Sequence, residues 1–580
     1  MSLFDDASLA MIPSAYKDGK LYSIKPTDGS GDFTFTRGSN LAATRVDENG
    51  LIEKGRENLL LQSNQFNTTW GNSNSTETSG QSGYDGSTDA WRIDKTASGG
   101  YLVQGIGTGG VQTFSVYAKA GTTDWMQLLT LGSGTGSRTV FYDLTNGVIG
   151  SQGGSGTYGI DSNIESVGGG WYRCSLTFNT TLNDVRIYPA EANSVSASSG
   201  SIYIQDAQLE QGLVATDYIE TTTTTAQAGI LEDMPRLDYS GGASCPSLLL
   251  EGQRSNLIEY SEYYGGWGVS NASVASNQSI SPEGLLNASN ITDASGSFGN
   301  AFSNSITFSS ADYSISLFIK KKTSTTEYLG IEIAGNGKYL TFNSFTGDIK
   351  YISSDVFNNK KLISFNDDWW YLSFTVNVSA STAVGIRFFP SISTDGSSLS
   401  AGATGTETIY GAQLEQGSYP TSYIPTYGTS QTRSVDDLGN ILLPEFDDEN
   451  NYSVMFDLTR KGVDTSLVGE FFEFRRTDFA RMISFWIDAP TAQVRFRSDQ
   501  ESNATMSTIA FSADATKKIC VVYDGDTFKT FTDGALVGTY SVVNAMPLSR
   551  FYMTSKSFDM NQLVVFKTSL TDAEAIALTS

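Results

Sequence analysis

The sequence contains no histidine. That excludes Ser-His-Asp and Cys-His machinery, histidine general bases and histidine metal ligands. Any catalysis would rest on carboxylates, tyrosine or lysine. Cysteine is scarce: Cys174, Cys245 and Cys520 stand far apart, with no metal-ligand spacing and no basis for a disulfide framework. They read as buried small hydrophobes. Positive charge is thin, with 37 Lys+Arg against 62 Asp+Glu, a net charge of −25 and a pI near 4.4. Phosphate binding needs concentrated Lys and Arg, so nucleic acid is not an expected ligand. The one basic run, Lys320–Lys322, reads as a solvated strand end. No stretch of apolar residues is long enough for a membrane helix, and no membrane partner is expected. Asp5 and Asp6 stand where a secretory leader would carry positive charge, so the expectation is synthesis in a cytoplasm without secretion.

What is abundant is turn and strand material. There are 58 glycines, aromatics make up 12% and charged residues only 17%. Such a mixture suits short strands joined by many turns. The length of 580 residues predicts about three to five domains.

The phrase AQLEQG occurs twice, as Ala207–Gly212 and Ala412–Gly417, followed by LVATDYIETT and SYPTSYIPTY. Reading backwards from it, further anchors recur in the same order. Arg186 and Pro189 match Arg387 and Pro390, Trp171-Tyr172 aligns with Trp370-Tyr371, FSVYAKAG (Phe114–Gly121) with ISLFIKKK (Ile315–Lys322), and ENLLLQSNQF (Glu57–Phe66) with SNLIEYSEYY (Ser255–Tyr264). An ordered series of this kind indicates a duplicated module. Phe114, Val116 and Ala118 alternate with Ser115, Tyr117 and Lys119, the period-2 pattern of a half-buried strand. Strands separated by Gly-rich turns predict a β-sandwich, and the module length suits a jelly roll. Arg-hydrophobic-Asp connectors precede the modules (Arg45–Asp47 and Arg236–Asp238), and a looser third copy spans Gln431–Leu443. The C-terminal part differs. Ile519–Tyr540 reads as three strands with two Asp-Gly turns, and Thr571 with Glu574 forms a capping box before a short helix.

The predicted fold class is therefore all-β, with tandem β-sandwiches. Residues 1–56 form an N-terminal attachment or connector segment, 57–225 the first jelly roll, 226–254 a connector, 255–430 the second jelly roll and 431–580 a third sandwich.

The segment containing VVYDGDTFKTFTDGALVG and LVVFKTSLTDAEAIAL resembles the concanavalin A-like sandwich in its laminin-G-like form. The duplicated modules resemble the jelly rolls of carbohydrate-binding modules. Phrases such as PRLDYSGGASCPSLLLEGQRSNLIEYSE and AQLEQGSYPTSYIPT, with the opening SLFDDASLAMIPSAYKDGK, resemble bacteriophage virion proteins of the tail-fibre and head-fibre kind. This resemblance implies a structural protein on the virion surface, made in the host cytoplasm. It implies contacts to other virion proteins through the N-terminal region and adhesion to host surface polysaccharide or mucin glycans. It also implies a homo-oligomer, with a trimer favoured. A capsid decoration with a purely architectural role and a polysaccharide depolymerase are the alternatives.

The residues themselves point away from catalysis. Glycoside hydrolysis needs two carboxylates about 5–10 Å apart. Glu470 with Glu473, and Asp447, Asp448 and Glu449, read instead as solvated strand faces, and no Glu-x-Asp-x-x-Glu string is present. The candidate carbohydrate-binding residues are Trp369, Tyr263, Tyr264 and Trp267. If Trp370 faces the core, strand alternation turns Trp369 outward. No cofactor is expected. A structural Ca²⁺ is compatible with a jelly roll, but no EF-hand-like string assigns ligands.

Overall fold

The computed structural model describes residues 3–580 except 18, 39–40, 134–135, 155–158, 443–450, 463–468, 476–480, 489–490, 497–503, 542–549 and 554–557. The chain is all-β, built of tandem sandwiches. The first sandwich pairs two six-stranded antiparallel sheets. One runs Gly159–Gly168, Trp171–Asn179, Val111–Ala120, Gly200–Gln211, Ala90–Lys95, Ser75–Gln81; the other runs Val148–Gly154, Gly136–Asp143, Trp125–Gly132, Leu182–Ala190, Tyr101–Gly105, Gly71–Ser73. The second sandwich repeats this order strand for strand. Its sheets run Phe357–Ser364, Trp369–Val378, Ala311–Lys320, Gly405–Gln416, Leu286–Asp293, Ser273–Ile280 and Ile349–Ile352, Tyr339–Phe342, Tyr328–Ile333, Ile386–Ser393, Asn300–Phe302, Gly268–Ser270.

The alternation read from the sequence holds in space. Phe114, Val116 and Ala118 enter the first core, and Ile315, Leu317 and Ile319 enter the second. Even the defect in the ladder is shared. The last strand of each copy bulges at Asp206 (φ 52°) and at Gly411 (φ 66°), where the left-handed backbone admits an extra residue. The tryptophan register needs a correction. Trp171 pairs with Lys119, and Trp369 pairs with the equivalent Lys320, so Trp171 corresponds to Trp369 and not to Trp370.

The repeated closing phrase has a bonding reason. Gln208 accepts the Ile219 N–H at 2.7 Å and donates to the Asp217 carbonyl at 3.2 Å, while Glu210 accepts the Thr216 N–H at 2.8 Å. Gln413 accepts the Ile424 N–H at 2.7 Å and donates to the Thr421 carbonyl at 3.3 Å, and Glu415 accepts the Thr421 N–H at 2.8 Å. The Gln and Glu of AQLEQG thus satisfy the backbone of the returning DYI or SYI segment, which is half-buried in the first copy and mostly buried in the second. A buried asparagine completes each clasp. Asn58 accepts the Leu60 and Leu209 N–H groups and donates to the Ala207 and Ile219 carbonyls; Asn256 does the same with Ile258, Leu414, Ala412 and Ile424.

The third sandwich is not confined to residues 431–580. Its larger sheet runs Leu237–Asp238, Ser247–Leu250, Phe558–Phe566, Tyr452–Arg460, Thr516–Tyr523, Thr527–Thr532, Ala535–Ser541, and Leu9–Met11 also pairs with Phe558–Phe566. Leu9, Met11, Leu21, Phe33, Phe35, Leu237, Leu248 and Leu250 belong to the same core as Tyr452, Phe456 and Phe528. The segments read from sequence as an N-terminal attachment piece and a connector are therefore structural parts of one base. Their apolar runs, such as SLLL at Ser247–Leu250, need a core, and this one takes them. Each jelly roll leaves and re-enters this framework through a short ladder: Arg56–Asn58 against Ala226–Ala228, and Arg254–Asn256 against Gln431–Arg433. The Asp533-Gly534 turn adopts positive φ at both residues, and the Thr571/Glu574 capping box forms before Asp572–Thr579. Cys174 and Cys520 are buried, but Cys245 is exposed, because its loop of small residues leaves the base before the apolar run begins.

Candidate functional site

The four residues proposed as a sugar platform do not form one. Trp369 does lie on the face opposite Trp370, yet it is only 2% exposed. That outer face is covered: Trp369 packs with Ile52 of the N-terminal segment and with Ala288, Phe318, Tyr410 and Tyr423. Tyr264 (0% exposed) and Trp267 (6%) are core side chains whose rings meet at 4.9 Å. The Trp267 indole donates to the Tyr260 carbonyl at 2.8 Å, as Trp70 does to Gln62 in the first copy. Tyr263 is half-buried, edge-on to Tyr260. The shared Phe66/Trp70 and Tyr264/Trp267 pairs were the sequence signal for a core role. Of the carboxylates weighed for catalysis, Glu473 is buried rather than solvated. The Glu470 side chain and Asp447, Asp448 and Glu449 lie outside the described residues.

The structure instead brings together a cleft of about 380 Å³ between the second sandwich and the base. One wall is the outer face of a jelly-roll sheet, with Phe318, Lys361, Phe365 and Tyr371. The floor is the closing phrase itself, from Tyr419 to Tyr423. The far wall comes from the hairpin at Thr44–Ile52, from Asp238–Gly241, and from Lys461 and Asp514 of the third sandwich. The aromatic lining is locked by mutual contact, Phe318 meeting Phe365 at 5.0 Å and Tyr371 at 5.1 Å. Arg254 lies over the Tyr419 ring at 5.4 Å. Thr44, Ser316, Ser364, Thr421 and Ser422 also line the cleft; the Thr44 hydroxyl donates to the Tyr423 carbonyl at 2.6 Å and the Ser422 hydroxyl to Glu251 at 2.6 Å.

Two buried ionic clusters hold the walls in place. Arg37 of the N-terminal segment, with Arg236 and Arg433 of the second and third connectors, converges on Asp436 and Glu251: Arg37–Asp436 is 3.3 Å, Arg236–Glu251 3.0 Å and Arg433–Glu251 2.8 Å, with Arg236 also bound to Asp436. Burial alone would raise the Glu251 carboxyl, but Arg433, Arg236 and the Ser422 hydrogen bonds override it and hold it at about 2. Behind the hairpin, Lys54 reaches Glu262 at 2.8 Å and Glu283, flanked by the Tyr410 and Tyr427 hydroxyls at 3.3 and 3.1 Å. Burial would depress the Lys54 ammonium, yet the two carboxylates hold it charged. The sequence pattern marked Arg45, Arg236 and the looser third copy that holds Arg433, but Arg45 pairs with Glu53 instead, and Arg37, which completes the cluster, was not part of that pattern.

The corresponding face of the first sandwich is filled from within. Tyr117 and Trp171 occupy the positions of Phe318 and Trp369, but Tyr84 from the sandwich's own loop stacks on Tyr117 at 3.9 Å and donates to Asp206 at 3.0 Å. Among the described residues, no group of three or more Cys, Asp or Glu side chains is placed to hold a metal ion.

No family model matches the chain, and no curated protein does. Similar solved structures include the binding domain of botulinum neurotoxin DC in complex with SialylT, at 13% identity and a TM-score of 0.22, over 24% of this chain and 38% of that one. The Ruminococcus gnavus IT-sialidase CBM40 bound to alpha2,6 sialyllactose is 14% identical with a TM-score of 0.18, over 22% of this chain and 83% of that one. A Trypanosoma rangeli sialidase in complex with 2,3-difluoro-KDN is 11% identical with a TM-score of 0.19, over 22% of each chain.

Proposed function

We propose that this protein is an appendage of a bacteriophage particle that grips surface polysaccharide without cleaving it. One observation carries the binding half: the preformed cleft, whose lining combines aromatic rings with polar and charged side chains, the mixture that suits the apolar and polar faces of a sugar ring. The virion half rests on the sequence phrases and on the array of sandwiches around one base. The base, with the N-terminal segment folded into it, is the part that would meet other virion proteins, and a homo-oligomer, a trimer first, would present several clefts. Single sugar sites are weak, so many copies on one particle gain by avidity.

Turnover is disfavoured by the state of the one glutamate in the cleft. Glu251 accepts from Arg236, Arg433 and Ser422, is held ionised, and has no proton to give a leaving group. The architectural reading applies to the first sandwich, where Tyr84 fills the corresponding face.

The purified protein should be retained on immobilised host capsule or mucin, and Phe365→Ala, at a half-buried ring of the cleft wall, should weaken that retention several-fold. The polysaccharide should remain full length. New reducing ends, abolished by a single Asp or Glu substitution, would overturn the binding-only reading. Immunogold labelling of particles tests the location, and unlabelled virions would refute it.

A further inference from the structure

The charge of the cleft extends this reading to a ligand class, and the inference rests on the cleft being a saccharide site. The chain as a whole has far more acidic than basic residues. The cleft reverses that balance: Arg45, Lys360, Lys361 and Lys461 face Asp238, Glu251 and Asp514. Two of these acids are already engaged by the fold. Glu251 is held by two arginines, and Asp238 accepts the Val46 N–H at 2.9 Å. The third, Asp514, reaches from the third sandwich across the mouth to Lys361 of the second, with N–O at 2.9 Å. Their side chains are 48% and 43% exposed. So open an ion pair adds little to stability and exchanges readily.

We propose that the cleft takes an acidic saccharide, one bearing a carboxylate on the ring, and that this carboxylate replaces Asp514 on Lys361. The ring then lies against the aromatic wall of Phe365 and Tyr371. A carboxylate fits better than a sulfate or phosphate ester. Lys361 is a single point charge at the mouth, and the other cations have partners: Arg45 binds Glu53 at 2.7 Å, Lys360 binds Asp355 at 2.8 Å, and Lys461 binds Asp559. Asp514 then acts as a competitor built into the protein.

The competitor gives the test a sign. Asp514 has φ of 57°, which asparagine also tolerates, so Asp514→Asn removes charge without backbone strain. Oligomers of polyuronate, the same oligomers with their carboxyls reduced to alcohols, and dextran sulfate are titrated calorimetrically against the full chain. The uronate should bind; its affinity should fall at least threefold between 50 and 300 mM NaCl, fall about fivefold in Lys361→Gln and rise about threefold in Asp514→Asn. Both positions are exposed, and unchanged melting temperatures check that the variants fold. Equal binding of the reduced oligomer, with no effect of Asp514→Asn, would overturn the charge inference while leaving a sugar-binding cleft. Dextran sulfate binding as tightly as the uronate would overturn the carboxylate assignment. Binding of none of the three, joined to glycan retention indifferent to Phe365→Ala, would remove both this inference and the function beneath it.

Discussion

Asn256 offers a sharp test of how the sandwiches are closed. Its side chain is fully buried, accepts the Ile258 and Leu414 N–H groups at 3.1 and 3.2 Å, and donates to the Ala412 and Ile424 carbonyls at 3.3 and 2.9 Å. Asn256→Ala strips two buried amides of their acceptor. Each orphaned donor costs about 1–3 kcal/mol, so the loss should be about 2–6 kcal/mol. That is a large fraction of the roughly 5–15 kcal/mol of an ordinary domain. Asn256→Asp keeps the acceptor but turns a second oxygen toward two carbonyls, and buries a charge. It should therefore be less stable than the alanine variant at pH 7, and should recover as the pH falls from neutral toward about 4, because burial against two carbonyls raises its carboxyl and the protonated form donates again. Because Asn58 makes the same four bonds in the first copy, Asn58→Ala should cost a similar amount. Urea unfolding of the set measures all of this. A loss under about 1 kcal/mol for Asn256→Ala, or an aspartate variant stabler than alanine at neutral pH, would refute the clasp.

Stability should be greatest near pH 4.5. Glu251 is held at about 2, so its contribution is present above the ordinary value of 4.5 and is lost as pH falls toward 2. Burial raises Glu407 to about 7 and Asp559 to about 6, so the fold prefers their protonated forms and stability falls as pH rises through those values; calorimetry should show Glu407→Gln flattening this neutral limb. Arg236→Met, which uncouples the three connectors, should cost about 3–5 kcal/mol, whereas Arg45→Met at the half-buried Arg45–Glu53 pair should cost under about 1 kcal/mol, both read from denaturant midpoints. The chain with residues 59–225 replaced by Asn-Gly should fold and melt cooperatively, whereas residues 431–580 alone should remain unfolded by circular dichroism.

The duplication was legible because the clasp is written in residues close in sequence. AQLEQG bonds to the phrase that follows it, so selection of the bonds leaves the phrase visible twice. The strands were legible for the same local reason, the period-2 alternation of FSVYAKA and ISLFIKK. The site was not. Trp369 obeys its alternation, but the pattern says which face a side chain takes and not what covers that face. Ile52 covers it, from more than three hundred residues earlier in the chain. The single-residue error aligning Trp171 with Trp370 has a local cause. WY recurs in both copies, but the second has an extra tryptophan, and only the pairing to Lys119 and Lys320 sets the register. The cleft floor, Tyr419 and Tyr423, lay within the phrase singled out at the start. Its partners across the gap come from four other stretches, around residues 44–52, 238–241, 461 and 514, so no sequence window contains the site.

The nesting of the modules also explains where a cleft can exist. The base is assembled from residues 9–35, 237–250 and 440–580, and eight buried apolar side chains from the first two segments fill its core. At about 1.5–3 kcal/mol each, their burial contributes roughly 12–24 kcal/mol, more than the net stability of a typical domain. Residues 431–580 therefore cannot be a free-standing module, whatever fold they resemble. The first jelly roll stands in the opposite relation. It departs at Asn58 and returns at Ala226, residues paired across one antiparallel ladder, so a two-residue turn can close the gap it leaves. The second jelly roll is tied down further, by Lys54 against Glu262 and Glu283 and by the connector arginines around Glu251. It is this fixed sandwich, not the removable one, that shares a walled cleft with the base. A site built across such a seam needs both sides held rigidly, and the buried ion pairs supply that rigidity where an apolar seam would let the sheet slide.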